Sequence, residues 1–383
     1  MSPPAAGTGS HRLRRLALFA AVLAVQFALF EAALRTWGSS EAAPSFQGLF
    51  EGDPVLGYRL RPGARTHFAT SEFAADIAIN GDGFRDDEEL GPKAANERRV
   101  VLLGDSLVLS VQVDFGRTFG ELLERRLNAR GGPTRYRVVN AGVQGFGPIE
   151  EQLFFRRIVD RVSPDLVIVV LFVGNDAEEA VGSRPKLSGD SRGRAAAAGD
   201  SLITRVRRLV RRSMVLQILR LRIVAATDRV TPRMAPPEPP LQSYAAAPAP
   251  RIAEGLAIAR RSIEDIAAVA SRAGAPTLVA LMPARFQVDD PDYQRLTQAV
   301  TQAGGELLRD GASERFDRAL AELPLPRIDL LPALRRKLPG PDLFYQTTVH
   351  LTPRGHEVVA GALDAFVAEQ WPLYRQEHPL TPR

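Results

Sequence analysis

Ser106, Gly145, Asn175 and His350 are the residues of this chain whose types and order could do chemistry together. A serine hydroxyl is a weak nucleophile until a neighbouring base takes its proton, and imidazole is a common choice of base. When such a serine attacks an ester, the tetrahedral oxyanion needs donors that carry no charge. A glycine backbone N–H and an asparagine amide can supply them. The chemistry open to this set is therefore acyl transfer. Taken singly, each member has an ordinary structural reading: a turn serine, a positive-φ glycine, a helix cap and a surface-loop histidine. What matters is whether the elements around them converge.

Val100–Leu103 is a short β-branched and leucine run with the look of a buried parallel strand, and Gly104-Asp105-Ser106 breaks it as a tight strand-to-helix turn. Thr118 and Glu121 fit a capping box for a helix with Phe119, Leu122, Leu123 and Leu127 on one side, which Gly131-Gly132-Pro133 ends. A second strand, Tyr136–Val139, leads through Gly142, Gly145 and Gly147 to Pro148, well placed in the first turn of the next helix. The run Leu166–Phe172 is the most strand-like of all and ends in Gly174-Asn175-Asp176. Three successive strand–loop–helix units predict an α/β fold: a doubly wound parallel sheet in a flavodoxin-like three-layer α/β/α arrangement. In such a sheet the loops at the carboxyl ends of the strands meet in one crevice. Further along, the pattern predicts a helix over Ile252–Ala273, a buried strand over Pro276–Pro283, helices near 290–304 and 312–323, and a fifth strand at Arg327–Leu331. Thr352 as N-cap and Pro353 at the first helical position start a last helix, so His350 falls in the loop just before it.

The remaining chain divides by composition. Residues 1–15 read as a cytoplasmic tail, and 16–37 as a transmembrane anchor built on the apolar run Leu16–Leu34, which only Gln26 and Glu31 interrupt. Arg12, Arg14 and Arg15 before it place the N-terminus inside, and Trp37 suits the far interface. A cleaved signal peptide is the rival, disfavoured by the length of the run and the lack of an Ala-x-Ala site. Residues 38–97 form a small β-rich lead-in, in which Asn80, Asp82 and Asp86 lack the glutamate of an EF-hand and read as a hairpin turn. The main domain spans 98–370, with an insertion at 181–251 and a tail at 371–383. The insertion holds a Gly/Ala/Ser/Arg-rich loop, a basic amphipathic stretch Ser201–Ala226, and a proline-rich linker. The basic stretch reads as a solvated helix packed on the sheet or, alternatively, as an arm that lies against anionic lipid or lids the site. With no cysteine, thiolate catalysis, disulfides and cysteine metal sites are excluded. The net charge of +5 is mostly arginine spread along the chain with no nucleic-acid-reading motif, so nucleic acid is not an expected partner. No metal-ligand cluster and no cofactor motif is evident; His356 reads as structural, and His11, His67 and His378 lack context.

Four motifs in this order carry a resemblance: Gly104-Asp105-Ser106-Leu107, Asn140-Ala-Gly-Val-Gln-Gly145, Gly174-Asn175-Asp176, and His350-Leu-Thr-Pro-Arg-Gly-His356. The chain resembles the SGNH (GDSL-type) hydrolase superfamily from about Val100 to Phe366, outside the insertion. The resemblance implies Ser106 as nucleophile and, through its N–H, first oxyanion donor, with Gly145 and Asn175 as the others and His350 as general base. One feature departs from the family. Its members usually place an aspartate three or two residues before the histidine, where this chain has Thr347 and Thr348. A Ser–His dyad remains, with a threonine hydroxyl or a carbonyl to hold the ring; Asp329 and Asp342 are more distant substitutes. The function implied is a membrane-anchored serine ester hydrolase or O-acyltransferase facing the periplasm. Its substrates would be acyl, foremost acetyl, esters of envelope glycans or lipids. The alternatives are a catalytically inactive module of the same fold that binds glycans or scaffolds an assembly, and a lipid-interacting protein that works through Ser201–Ala226.

Overall fold

The computed structural model describes residues 48–187, 241–336 and 342–377, together with a few helical positions between 14 and 27. The chain divides into two units, 46–191 with 237–383 and 1–45 with 192–236. The first holds the sheet and the candidate site. The second falls almost wholly outside the described residues, as do most of the predicted anchor and all of Ser201–Ala226. Among the described residues no helix is long and apolar enough to cross a membrane.

The lead-in makes two antiparallel ribbons. In the first, β1 (Phe50–Asp53) pairs with β2 (Gly57–Leu60), and in the second β3 (Arg65–Ala69) pairs with β4 (Ala74–Ala78). The expected hairpin at Asn80–Gly83 is instead a side-chain turn. Asn80 Oδ1 accepts the N–H groups of Asp82 and Phe84 at 3.1 and 3.0 Å, and the chain leaves β4 for a long loop rather than a return strand.

The main sheet has five parallel strands, β5 (Glu97–Gly104), β6 (Arg135–Gly142), β7 (Leu166–Phe172), β8 (Thr277–Met282) and β9 (Arg327–Asp329), in the order β6-β5-β7-β8-β9. The first crossover, through α1 (Ser106–Leu109) and α2 (Phe119–Ala129), steps one way along the sheet; α3 (Pro148–Val162) and all later crossovers step the other way. Right-handed crossovers in opposite directions put their helices on opposite faces, which is the doubly wound plan. One layer packs α2 against α10 (Pro353–Gln370), and the other packs α3 and α4 (Asp176–Leu187) against the long α5 (Pro250–Arg272). Every residue of β7 and β8 is buried, as continuous apolar runs covered on both faces require.

Between β8 and β9 lie α6 (Arg285–Val288), α7 (Asp290–Gln302) and α8 (Gly311–Leu320). Strand β9 is shorter than expected because α9 (Leu331–Arg335) begins at once: Asp329 Oδ1 accepts the Leu331 N–H at 2.9 Å, and Pro332 suits a helix first turn. The expected C-terminal tail is in part core. Trp371 and Tyr374, the latter in α11 (Pro372–Glu377), are buried and set their rings edge-on to Tyr136.

Candidate active site

Strand β5 runs between β6 and β7, so its carboxyl-end turn is flanked by the loops that follow those two strands. Asp105 caps α1, its side chain accepting the Leu107 N–H at 2.8 Å. Ser106 is thus the first residue of α1, where a backbone N–H has no acceptor within the helix. Helix α1 lies almost on β6, since a Cβ at Gly142 would come within 2.4 Å of the Leu109 nitrogen; only glycine fits there. On one side, Val143 N–H donates to Gly104 O at 3.1 Å and the chain turns through Gly145 at φ +68°. On the other side, β7 ends in the turn to Asn175. The Asn175 amide gives one of its two N–H groups to Glu179 Oε1 at 2.9 Å.

His350 arrives from 244 residues away in sequence. Phe344 and Leu351 bridge antiparallel, Tyr345 N–H donates to His350 O at 3.0 Å, and Thr352 N–H donates to Leu343 O at 2.9 Å. The histidine therefore ends a short closed loop directly before α10. Its Nε2 lies 2.9 Å from Ser106 Oγ. For Nε2 to accept the serine proton, a neutral ring must carry its own proton on Nδ1. That Nδ1 is buried and has no hydrogen-bond partner among the described residues.

The two threonines expected to hold the ring make no hydrogen bond to it among the described residues. Thr347 Oγ1 donates to the Glu72 carboxylate, and Thr348 Oγ1 accepts the N–H of His350 itself at 3.3 Å. Asp329 accepts the Leu331 N–H ahead of α9, and Asp342 accepts from the Gln346 side chain, so neither replaces the missing acid. Burial without a compensating charge pushes His350 down to about 4. His356 supports α2 instead. Its Nδ1 accepts the Phe119 N–H at 3.2 Å where that helix starts, and its ring stacks on Phe119.

Three buried carboxyls surround the turns that carry Ser106 and Asn175. Burial raises Asp105 to about 6, against the lowering bond from Leu107. It raises Glu151 and Asp176 well above the carboxylate range, and the negative charges of Asp105 and Glu179 push both further in the same direction. Neither oxygen of Glu151 has a hydrogen-bond partner among the described residues, while Asp176 Oδ2 accepts the Phe172 N–H at 2.8 Å. Among the described residues no group of three such side chains is placed to hold a metal ion.

Sequence reasoning missed what the lead-in contributes. Tyr58 donates its hydroxyl to Gln144 O at 2.6 Å and sits where a Cβ at Gly145 would reach it at 3.0 Å. Arg85, with no exposed surface, donates to Leu109 O at 2.7 Å, to Ser110 O and to Val113 O, and so holds the far end of α1. Glu72 holds the His350 loop. No sequence pattern announces these long-range contacts. Glu151 left a fainter trace: it lies on the same helical face as Phe155 and Ile158, an acid within an apolar stripe. A cleft of about 640 Å³ runs past the same loop, lined by Arg285, Asp292, Arg295, Thr347, Thr348 and Val349 among others.

No family model and no curated protein matches the chain. Solved structures to which it is similar include a lipase/acylhydrolase from Enterococcus faecalis, at 18% identity over 74% of this chain and 100% of the other, with a TM-score of 0.37. A catalytic mutant of an acetylxylan esterase from Geobacillus stearothermophilus aligns at 13% identity over 73% and 98%, with a TM-score of 0.38. A psychrotrophic esterase from Pseudoalteromonas sp. aligns at 10% identity over 71% and 97%, with a TM-score of 0.36. At these scores the likeness adds no weight to a reading of the site.

Proposed function

We propose that the chain is a serine esterase or O-acyltransferase, anchored by Leu16–Leu34 with its α/β domain on the periplasmic side. Its substrates would be acyl, foremost acetyl, esters of envelope glycans or lipids. The observation that carries this reading is the 2.9 Å approach of His350 Nε2 to Ser106 Oγ at the carboxyl edge of a parallel sheet. In the first step Ser106 Oγ attacks the ester carbonyl carbon while its proton passes to His350 Nε2. The carbonyl oxygen becomes an oxyanion, held by the N–H groups of Ser106 and Gly145 and the second amide hydrogen of Asn175. As the carbonyl re-forms, the alcohol departs with the proton from His350, leaving Ser106 acylated. Water or a sugar hydroxyl then attacks the acyl carbon as His350 takes its proton; when the bond to Ser106 breaks, His350 returns that proton to Oγ and restores the serine. The cleft beside the loop falls within the size range of small-molecule sites, and its mixed polar and apolar lining suits a glycosyl group better than a bare acyl chain.

The test uses the full chain in detergent, with a fluorophosphonate probe and p-nitrophenyl acetate. Wild type should label and turn over, and Ser106→Ala and His350→Ala should do neither. That Nδ1 of His350 has no partner among the described residues favours one other reading, a glycan-binding module without turnover. A folded wild type that neither labels nor turns over, yet binds acetylated glycan, would establish that instead.

A further inference from the structure

The loop that carries His350 is gripped from two sides. From the turn between β3 and β4, the Glu72 carboxylate accepts the N–H of Gln346 at 2.8 Å and the N–H of Thr347 at 2.9 Å, and also takes the Thr347 hydroxyl. From α6, Arg285 donates to Tyr345 O at 3.1 Å and Gln346 O at 2.5 Å, while its Nε is held on Asp292 at 2.9 Å. One partner takes the loop's donors and the other its acceptors. The grip is anchored at its base, since the Phe73 ring beside Glu72 meets the Tyr345 ring with centroids 5.0 Å apart. Burial pushes the Glu72 carboxyl up, but the bonds from Thr347 and Gln346 outweigh this and hold it below the usual carboxylate range. It is therefore ionised, the state in which such bonds are strongest.

We infer that Glu72 is the positioning acid of this site: a carboxylate from the lead-in hairpin that, through Thr347 and the loop backbone, sets His350 against Ser106 where the acid expected at 347 is absent. Glu72 does not orient the ring by contact, because Nδ1 has no partner among the described residues. It fixes the path of the chain three residues upstream. This rests on the esterase reading for its catalytic meaning, but the loop geometry can be tested without it.

The experiment compares full-length wild type, Glu72→Gln, Glu72→Asp and Thr347→Val by three measurements. These are the rate of fluorophosphonate labelling across pH, the kcat and KM for p-nitrophenyl acetate, and hydrogen exchange of the segment 343–352. A displacement of a catalytic group by about 1 Å can cost about a hundredfold. Glu72→Gln should therefore lower kcat by about ten- to a hundredfold with KM little changed. Its low-pH limb should stay where it is in wild type, because no charge on the ring has been lost. Exchange over 343–352 should rise about tenfold in Glu72→Gln while β7 and β8 stay protected, and Glu72→Asp should recover part of both losses. Thr347→Val should resemble a milder Glu72→Gln. Unchanged labelling with unchanged loop exchange would overturn the inference, as would a loss of protection spread over the whole sheet, the mark of a merely structural role. An inert, folded wild type would sink the esterase reading, and loop exchange would still decide whether Glu72 holds His350 in place.

Discussion

An imidazole pushed down to about 4 should leave its mark on the pH dependence of Ser106 reactivity. The base must be neutral to accept the serine proton. An ordinary histidine titrates near 6.5, so at pH 5.5 only about a tenth of it is neutral. With a pKa of about 4, about 97% of His350 is neutral at the same pH. The cause is burial, with no carboxylate on Nδ1 to offset it. The neighbouring His356, pushed down to about 3 by burial, Arg85 and His350, stays neutral over the same range and brings no competing titration. The second-order rate of fluorophosphonate labelling should therefore stay nearly level from about pH 8 down to about pH 5.5, where an ordinary dyad would lose about tenfold. Half-maximal labelling should fall within about a unit of pH 4. The measurement needs buffers of constant ionic strength and a check by circular dichroism that the fold survives at each pH. A half-maximum at 6.5 or above, in folded protein, would refute the reasoning. It would mean that a polar or charged partner reaches the ring and stabilises its protonated form in the working site.

Two substitutions in the lead-in test whether it shapes the loops it touches. Tyr58→Phe removes the 2.6 Å bond to Gln144 O, worth about 1 kcal/mol, and loosens the Gly145 turn; kcat on p-nitrophenyl acetate should fall about fivefold. Unchanged kcat would show that the turn stands without its hydroxyl support. Arg85→Met leaves three buried carbonyls, those of Leu109, Ser110 and Val113, without their donor. At about 1–3 kcal/mol for each unmet group, partly relieved by removing a buried charge, the loss of stability should be about 3–5 kcal/mol in urea unfolding. A loss under about 1 kcal/mol would mean that these carbonyls find other partners.

The sheet was legible because its strands are buried on both faces. LVIVVLF at 166–172 and TLVALM at 277–282 can be little else once glycine and polar turns bound them. The cap at Thr352, whose hydroxyl accepts the Gly355 N–H at 3.3 Å, was equally plain because capping is a local chemistry. What sequence could not show was any partner chosen over distance. Tyr58 reaches its carbonyl 86 residues away and Glu72 its N–H groups 274 and 275 residues away, and no periodicity encodes either contact. The threonines at 347 and 348 were expected to hold the ring but have other partners, the Glu72 carboxylate and the His350 N–H, since spacing cannot tell which way a hydroxyl turns. Trp371 and Tyr374 looked like a tail only because α10 ends just before them; their rings close the core around Tyr136.

The distribution of charge around Ser106 follows one rule. Burial drives five titratable groups on the elements around the serine toward their neutral forms: His350 and His356 downward, Asp105, Glu151 and Asp176 upward. The charges on Glu72, Arg85 and Arg285 are spent on backbone N–H and carbonyl groups and fix where loops run. Oriented N–H groups in a largely buried setting favour a developing oxyanion more than water does, because their dipoles are already aligned and weakly screened. In the same setting an aspartate on Nδ1 would add a buried charge that must itself be solvated by the protein. Moving the carboxylate out to the hairpin at Glu72, onto three donors near the surface, avoids that cost while still constraining His350. On this account the missing acid and a ring nitrogen with no partner among the described residues are two sides of one arrangement, in which the lead-in does by geometry part of what a third catalytic side chain would do by contact.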